Sequence, residues 1–323
     1  MARSDLLRQL FLSYSRGDDA AFRSTASEII ADERHKNHRL LAGELEQALH
    51  RDLKPGAATP LTLRPLPKGR DDRPLLRLTK PERHFDDLIL PGETGAVLRE
   101  ITDENQRRAT LASHGLRPRQ RLLLVGAPGI GKSASAHAIA ADLSLPVATA
   151  SLAALTASLL GETARNVEAV VAFAEQTACV LLFDEFDVLA QERDEGRDHG
   201  EIRRVVAAVL QMLEGFRGES LVIATSNHPQ LLDTAVWRRF DDVVTFNTLN
   251  QDQVADLIEL KVHSFAHSLD PARWARQLSD ATPAEIELIC YDALRRTVLA
   301  GSDRLTDGQL RAAVDRYISR KRA

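Results

Sequence analysis

The sequence predicts an α/β protein whose mainly parallel five-stranded sheet is covered by helices on both faces. Short apolar runs alternate with amphipathic helical patterns between residues 82 and 248, and such alternation is typical of a parallel sheet. The predicted strands are Leu122–Val125, Pro146–Ala150, Val180–Phe183, Leu221–Thr225 and Val243–Phe246. The clearest helical stripe comprises Ile202, Val205, Val206, Val209, Leu210 and Leu213. Ligands of such a sheet bind beyond the carboxyl ends of its strands.

The segments on either side of this α/β region, residues 82–248, have different patterns. Residues 249–323 predict a small helical domain, because apolar residues recur there at helical spacing. The stripes are Val254, Leu257, Ile258, Val262 and Phe265; Ile286, Ile289, Leu294 and Val298; and Leu310, Val314, Tyr317 and Ile318. Residues 1–53 predict a short helical region, and residues 54–81 are dense in proline, as in an extended linker.

The composition argues against several classes of protein. Two cysteines, Cys179 and Cys290, are too few for a disulfide framework or a zinc cluster, so we expect buried thiols in a reducing cytoplasm. We find no signal-peptide pattern and no apolar run of the roughly 18 residues that cross a bilayer. The sequence therefore predicts a soluble, cytoplasmic protein without a membrane partner. A net charge of −4 argues against a strongly basic nucleic-acid-binding domain.

The charge is nevertheless uneven along the chain. Between Arg51 and Arg83, nine lysines and arginines stand against four aspartates and glutamates. A solvated basic linker is the simpler interpretation of this excess. Contact with phosphate or nucleic acid is the alternative.

The first chemical motif follows the predicted strand Leu122–Val125. Its residues, Gly126, Ala127, Pro128, Gly129, Ile130, Gly131, Lys132 and Ser133, match the spacing of a phosphate-binding loop that opens a helix. Glycines let the backbone wrap closely around phosphate oxygens, and the helix N-terminus adds positive potential. We expect Lys132 to contact the β and γ phosphates and the Ser133 hydroxyl to bind Mg²⁺. The motif therefore predicts ATP and Mg²⁺ as ligands.

Two other predicted strands end in polar residues. Val180–Phe183 is followed by Asp184, which we expect to hold Mg²⁺ through water, and by Glu185, which we expect to polarise the attacking water. The strand Leu221–Thr225 is followed by Asn227, whose amide could hold the same water and respond to the γ phosphate. These residues predict hydrolysis of the bound nucleotide.

The segment Trp237–Asp241 contains the adjacent arginines Arg238 and Arg239. Phosphoryl transfer spreads negative charge over the γ-phosphate oxygens, and an arginine from a neighbouring subunit can stabilise that charge. The pair therefore indicates a site shared between subunits.

With these motifs in place, residues 84–300 resemble the AAA family, and within it the FtsH-like, katanin-like and spastin-like ATPases. The resemblance implies Gly126–Ser133 as Walker A, Asp184 and Glu185 as Walker B, and Asn227 as sensor 1. It also implies Arg238 and Arg239 as arginine fingers, within a second region of homology running from Thr225 to Asp241. It implies a P-loop AAA core with a helical lid, working as a ring, usually a hexamer, that remodels a protein through a central pore.

The sequence departs from the pattern of this group in three respects. Leu155–Glu162 resembles the pore loop, but Leu159 occupies the position where an aromatic residue is usual, which argues against strong threading of polypeptide. Pro283–Ile286 occupies the sensor 2 position without an arginine, as in much of the group. The chain shows neither a membrane segment nor a protease domain, so we do not expect an FtsH-like membrane protease.

A narrower resemblance concerns the segment Glu192–Val206 together with the helical N-terminus. These are similar to bacterial AAA ATPases encoded beside a subtilisin-like serine peptidase in modules associated with phage defence. The favoured function is thus ATP-driven remodelling or regulation of a protein partner, with a peptidase as one candidate. A nucleic-acid-associated ATPase, such as a loader or transposition regulator, and a switch that gates a partner enzyme remain alternatives. Stimulation of hydrolysis by DNA that disappears at high salt would favour the nucleic-acid class.

Overall fold

The computed structural model describes residues 24–29, 65–70, 72–156, 162–187, 209–232 and 234–322. The chain divides into two compact units, residues 1–65 and residues 66–323. In the first unit, residues 24–29 are helical. The remainder of the predicted helical region 1–53 and residues 54–64 of the predicted linker lie outside the described residues.

A six-stranded sheet forms the centre of the second unit, with the spatial order β1-β3-β4-β5-β2-β6. The strands are β1 (Leu76–Thr79), β2 (Arg121–Val125), β3 (Val147–Ala150), β4 (Val180–Phe183), β5 (Leu221–Ser226) and β6 (Asp242–Thr245). Strands β2 to β6 pair in parallel, so the predicted parallel five-stranded sheet is confirmed. Their ends differ from the predicted ends by at most one residue.

Alternate residues of the central strands enter two separate cores because successive side chains of a strand point to opposite faces. On one face, Leu123 of β2 and Phe183 of β4 pack with apolar residues of the helix Glu162–Gln176. On the other face, Leu122 and Leu182 pack with apolar residues of Gly92–Gln106 and Lys132–Asp142. Burial on both faces explains why these strands have continuous apolar runs instead of alternating polar and apolar residues.

Strand β1 differs from the sequence-based expectation, which assigned residues 54–81 to an extended linker. It pairs antiparallel with β3, and Leu75 and Leu76 are fully buried in the core. The chain reaches β1 through a turn in which the Leu75 amide donates to the Pro67 carbonyl. Proline is tolerated beside an edge strand, and burial of the Leu75–Leu76 pair holds this segment on the sheet.

Helices cover both faces of the sheet. Those around it are α1 (Gly92–Gln106), α2 (Arg108–Ser113), α3 (Lys132–Asp142), α4 (Leu152–Thr156), α5 (Glu162–Gln176) and α6 (Thr234–Trp237). Residues 209–215 are also helical, and short 3-10 turns occupy Phe85–Asp87 and Pro229–Leu231. Val209, Leu210 and Leu213 of the predicted stripe are buried, whereas Ile202, Val205 and Val206 lie outside the described residues.

The C-terminal helices form a separate core, here called the lid. Its members are α7 (Gln251–Val262), α8 (Pro271–Gln277), α9 (Pro283–Leu299) and α10 (Asp307–Arg322). Asn250, Asp270 and Thr282 cap α7, α8 and α9 through side-chain oxygens that accept backbone N–H groups. Most residues of the predicted stripes are buried or partly buried in this core, but Val298 and Ile318 are exposed.

The segment between β1 and α1 joins the lid to the sheet. Lys261 of α7 donates to the Asp87 carbonyl (2.8 Å), and Arg83 donates to Glu287 Oε1 of α9 (2.6 Å). Leu88 and Leu90 pack against the sheet core, while Ile89 between them packs against the lid core. Alternating side chains of one short segment thus fix the position of the lid.

Both cysteines are buried, as the sequence predicted. Burial raises the pKa of Cys179 to about 11 and that of Cys290 to about 12, so both remain protonated at neutral pH. Next to Cys179, the fully buried Ser220 hydroxyl links the start of β5 to the connection between α5 and β4. It donates towards the Ala174 and Thr177 carbonyls (2.6 and 3.0 Å) and accepts from the Cys179 amide (2.9 Å).

Replacing Ser220 with alanine should therefore destabilise the protein. Ser220→Ala leaves the Cys179 amide and the carbonyls at the end of α5 without their partner, and an unsatisfied buried polar group costs about 1–3 kcal/mol. We expect a matching loss of unfolding free energy in denaturant titration. Ser113→Ala, which removes an exposed hydroxyl bonded to the Thr110 carbonyl, is the control and should change stability by less than about 0.5 kcal/mol. Equal stability of the two variants would contradict this role of Ser220.

Candidate nucleotide site

The candidate site begins at the loop between β2 and α3. A Cβ atom at Gly126, where φ is 148°, would lie 2.5 Å from Ile130 Cδ1 and 2.6 Å from the Phe246 carbonyl oxygen. Only glycine fits so close to another backbone segment in this conformation. Gly131, with φ of 107°, ends the loop and caps α3. The first N–H groups of α3 therefore point out of the helix beside the loop and form a site for anions.

Lys132, the first residue of α3, is only 6% exposed. Its Nζ donates to the Gly126 and Ala127 carbonyls (both 2.7 Å) and to Asn227 Oδ1 (2.8 Å). Burial lowers the pKa of the Lys132 ammonium, and the charges of Asp184, Asp187 and Glu185 act in the opposite direction. The lysine thus links the loop to the end of β5.

Asp184 is the residue directly after β4, and two hydroxyl groups meet one of its oxygens. Ser133 Oγ and Thr225 Oγ1 each donate to Asp184 Oδ1 at 2.7 Å. Because β2, β4 and β5 are parallel neighbours, the residues that follow them converge at the same edge of the sheet. This convergence brings the predicted metal-binding pair, Ser133 and Asp184, into contact.

Glu185 is exposed and has a φ of 54°, which few residues other than glycine adopt. Its amide donates to Thr225 Oγ1 (2.9 Å). Asn227 lies just beyond the end of β5. Its backbone amide donates to Asp187 Oδ1 (3.1 Å), and its side-chain Oδ1 accepts from Lys132.

These residues line one cleft of about 270 Å³. Lys132, Ser133, Asp184, Glu185 and Asn227 contribute to its wall. The lid contributes Pro283 and Ala284 from the start of α9. The cleft is therefore bounded by the loop, by the ends of two strands and by the lid.

The lid touches the loop directly. The Ala284 amide donates to the Gly129 carbonyl (3.0 Å). A Cβ atom at Gly129 would lie 3.0 Å from Thr282 Oγ1 and 3.3 Å from Ala284 Cβ. Glycine at this position therefore lets the lid approach the loop closely.

The comparisons with known proteins agree with this geometry. The family described as "ATPase family associated with various cellular activities (AAA)" matches residues 122–248. An AAA family ATPase of Sinorhizobium fredii, y4kL, is 36% identical over 302 residues, covering 93% of this chain and 90% of the relative. The chain belongs to the AAA family. It is accordingly an ATPase that binds nucleotide.

More distant AAA relatives are longer than this chain. A proteasome-activating nucleotidase of Methanococcus maripaludis is 28% identical over 75% of the chain and 64% of its own length. An ATP-dependent zinc metalloprotease, FtsH 3 of Sphaerobacter thermophilus, is 29% identical over 79% of the chain and 54% of its own length. The chain thus covers less than two thirds of either relative.

The arginine pair of this AAA protein does not line the cleft of its own chain. Both residues follow α6; Arg238 is exposed, and Arg239 forms an ion pair with Glu214. The predicted pore-loop residue Leu159 and the whole segment Glu192–Val206 lie outside the described residues. In the described part of the chain, no helix is both long and apolar enough to span a membrane.

Thr225 was not among the site residues predicted from the sequence. The predicted strand included it as its last residue, and the polar run Thr225-Ser226-Asn227 was the available signal. The contact of the α9 start with Gly129 was also missed, because it joins residues more than 150 positions apart. A pattern along the chain contains no information on such a contact.

Removal of the Lys132 charge should weaken nucleotide binding. In Lys132→Ala, the ammonium that faces the cleft is lost, so we expect ATP affinity to fall at least tenfold, about 1.4 kcal/mol. Calorimetric titration measures this change. Lys80→Ala, at an exposed position in the same chain, is the matched control and should bind ATP like the parent. Unchanged affinity in a folded Lys132→Ala variant would contradict the assignment of the loop.

Proposed function

We propose that this AAA ATPase binds ATP with Mg²⁺ in the cleft, hydrolyses it at sites shared between neighbouring subunits, and remodels or regulates a protein partner. The observation that carries the proposal is the connected set of contacts around the cleft: Lys132 to Asn227, and Ser133 to Asp184. Residues from three separate segments thereby face one volume beside a helix N-terminus.

Phosphate binding is assigned to residues Gly126 to Ser133. The loop presents backbone N–H groups and the start of α3, while Lys132 adds a positive charge at the wall of the cleft. The Gly126 and Ala127 carbonyls hold the Lys132 ammonium beside the loop, where it would contact the β and γ phosphates.

The residues beside the loop fit a magnesium ion. Mg²⁺ prefers oxygen ligands and usually keeps several waters, with few ligands from protein. The Ser133 hydroxyl and the Asp184 carboxylate, 2.7 Å apart, are such a pair. Ser133 would bind the ion directly and Asp184 through water. When bound, the ion withdraws charge from the phosphate oxygens.

Water activation is assigned to Glu185 and Asn227. The Glu185 carboxylate is exposed at the cleft wall, where it can accept a hydrogen bond from the attacking water. The Asn227 side chain, whose Oδ1 accepts from Lys132, lines the same cleft as Glu185 and can orient the same water. We expect Glu185 to receive the proton as the water attacks.

Arg238 and Arg239 are proposed to serve the cleft of a neighbouring copy of the chain. They do not line the cleft of their own chain, and Arg238 is exposed. An arginine supplied by a partner stabilises the negative charge of phosphoryl transfer. This role requires an oligomer. We propose that the protein is cytoplasmic and forms a ring, which is hexameric when ATP is bound.

The proposed partner is a protein. The names of two relatives, a proteasome-activating nucleotidase and an ATP-dependent zinc metalloprotease, both link the use of nucleotide to proteolysis. Together with the resemblance to ATPases encoded beside subtilisin-like peptidases, they support a peptidase as the partner and a role in antiviral defence. The position of Leu159, without the usual aromatic side chain, favours contact with the partner over processive threading.

A nucleic-acid-associated ATPase is the second candidate. It is favoured by the exposed basic side chains before, within and after β1, among them Lys68, Arg77 and Lys80. Such charges would attract phosphate backbones in a salt-dependent manner.

Hydrolysis should depend on the Glu185 carboxylate, whereas binding should not. Glu185→Gln keeps the shape of the side chain but removes the group that accepts the proton. The variant should bind ATP, hydrolyse it at least about 100-fold more slowly, and accumulate as the largest oligomer by size-exclusion chromatography. Glu168→Gln, at an exposed position of α5, provides the control for loss of one negative charge. Parental turnover in Glu185→Gln would show that the role of this residue is misassigned.

Mixed oligomers test whether the arginine pair acts on a neighbour. Arg239→Ala subunits and Lys132→Ala subunits each lack a different half of the shared site. Each alone should be inactive, since an arginine finger contributes about 10³–10⁵ in rate. A mixture should regain part of the ATPase activity at interfaces that combine an intact loop with an intact arginine.

The control for this mixture concerns the ion pair within the chain. Glu214→Gln removes the partner of Arg239 and keeps the guanidinium, so it should retain activity if the ion pair is dispensable. No recovery in mixtures shown to contain both subunits would argue that the arginine serves its own chain.

A further inference from the structure

Thr225, the fifth residue of β5, is 1% exposed and makes three hydrogen bonds to consecutive residues after β4. Its Oγ1 donates to Asp184 Oδ1 (2.7 Å) and accepts from the Glu185 amide (2.9 Å). Its carbonyl accepts from the Phe186 amide (2.8 Å). One buried threonine therefore holds the segment that contains both candidate catalytic carboxylates.

The Thr225 hydroxyl both donates and accepts a hydrogen bond. A threonine hydroxyl has one hydrogen to donate and lone pairs to accept, and here Asp184 receives the hydrogen while the Glu185 amide meets the oxygen. Asp184 Oδ1 also accepts from Ser133 Oγ, so hydroxyls from two sides fix the rotation of this carboxylate. A residue without a hydroxyl at position 225 could fill the space but would make neither contact.

The backbone of Glu185 needs such support. A φ of 54° is unfavourable for a residue with a side chain, by about 1–2 kcal/mol, and persists where surrounding contacts hold it. The backbone amides of Glu185 and Phe186 flank this strained residue, and both donate hydrogen bonds to Thr225. The direction in which the Glu185 side chain leaves the backbone follows from this φ.

We infer that Thr225 is a positioning residue for hydrolysis: its hydroxyl fixes Asp184 for the metal ion and Glu185 for the attacking water. This inference rests on the proposed roles of Asp184 and Glu185. It implies that loss of the Thr225 hydroxyl lowers turnover and weakens the binding of Mg²⁺, whereas ATP still binds through the loop and Lys132.

The test compares variants that differ in the hydroxyl. Thr225→Val keeps the shape and removes the hydroxyl, whereas Thr225→Ser keeps the hydroxyl. Loss of a group that orients a metal ligand reduces activity or metal affinity by about 10- to 100-fold. In Thr225→Val we expect kcat to fall by about that factor, and the Mg²⁺ concentration for half-maximal nucleotide binding, measured by calorimetry with a non-hydrolysable ATP analogue, to rise. The KM for ATP should change by less than about threefold, and Thr225→Ser should behave like the parent.

A second readout reports the geometry without activity. The Glu185 amide bonds to the Thr225 hydroxyl, so its hydrogen exchange should be faster in Thr225→Val and unchanged in Thr225→Ser. Thr102→Val is the matched control, because Thr102 is also buried and its hydroxyl donates to the Leu98 carbonyl within α1. It should lower stability without changing kcat or the Mg²⁺ requirement. If Thr225→Val does not fold, Thr225→Ser and Thr225→Ala make the same comparison, since they differ by the hydroxyl alone.

The outcomes separate this inference from the proposed function. If Glu185→Gln is inactive while Thr225→Val keeps the kcat and Mg²⁺ requirement of the parent, the inference is overturned and the proposed function stands. Equal loss in Thr225→Val and Thr225→Ser would assign the effect to packing and would also overturn it. If Glu185→Gln and Asp184→Asn both turn over ATP at the parental rate, the proposed site roles and the inference fail together.

Discussion

The burial of one positive charge, that of Lys132, is the constraint on which the site depends. The ammonium group of a lysine that is only 6% exposed needs hydrogen-bond acceptors, and here two loop carbonyls and the Asn227 side-chain oxygen provide them. The carboxylates of Asp184, Asp187 and Glu185 lie close enough to favour its charged form. The loop and the end of β5 are thus held together by the same group that faces the cleft.

This arrangement explains why the ends of β4 and β5 are polar although the strands are apolar. Asp187 is 1% exposed, and its Oδ1 accepts from the backbone amide of Asn227. Asp184 accepts from two hydroxyls. Asp184 and Asp187 each accept from hydrogen-bond donors, so these negative groups compensate the lysine without being left unsatisfied.

The lid is attached to the same loop through the start of α9. Thr282 and Ala284 contact Gly129, and Glu285 completes a capping box by accepting from the Thr282 amide (2.8 Å). Burial acts to raise the pKa of Glu285, but hydrogen bonds from Tyr317, the Thr282 amide and Lys321 bring it down to about 2. The helix α10 therefore stabilises the N-terminal cap of α9, which contacts the loop. A displacement of the lid would change the contacts of Thr282 and Ala284 with Gly129.

Much of the core was predictable because its signal is local. Apolar runs such as Val180–Phe183 are continuous where a strand is buried on both faces, and the glycine spacing of 126–131 is typical of a phosphate-binding loop. Strand β1 was missed because the surrounding prolines resemble a linker, while its partner β3 lies some 70 residues away. Thr225 was missed for a related reason: its contacts are with Asp184 and Glu185, which follow the neighbouring strand β4. The exposure of Val298 likewise depends on how α9 meets the other lid helices.

The ion pair of Arg239 with Glu214 is compatible with a role at a neighbouring site. Both side chains are substantially exposed, at 40% and 46%, and exposed ion pairs contribute about 0–1 kcal/mol. An arginine that accelerates phosphoryl transfer by about 10³–10⁵ lowers the barrier by roughly 4–7 kcal/mol. The proposed interaction with a neighbour's phosphate would therefore outweigh the interaction with Glu214 several times over. Glu214 can hold the guanidinium near the subunit surface without competing with that role.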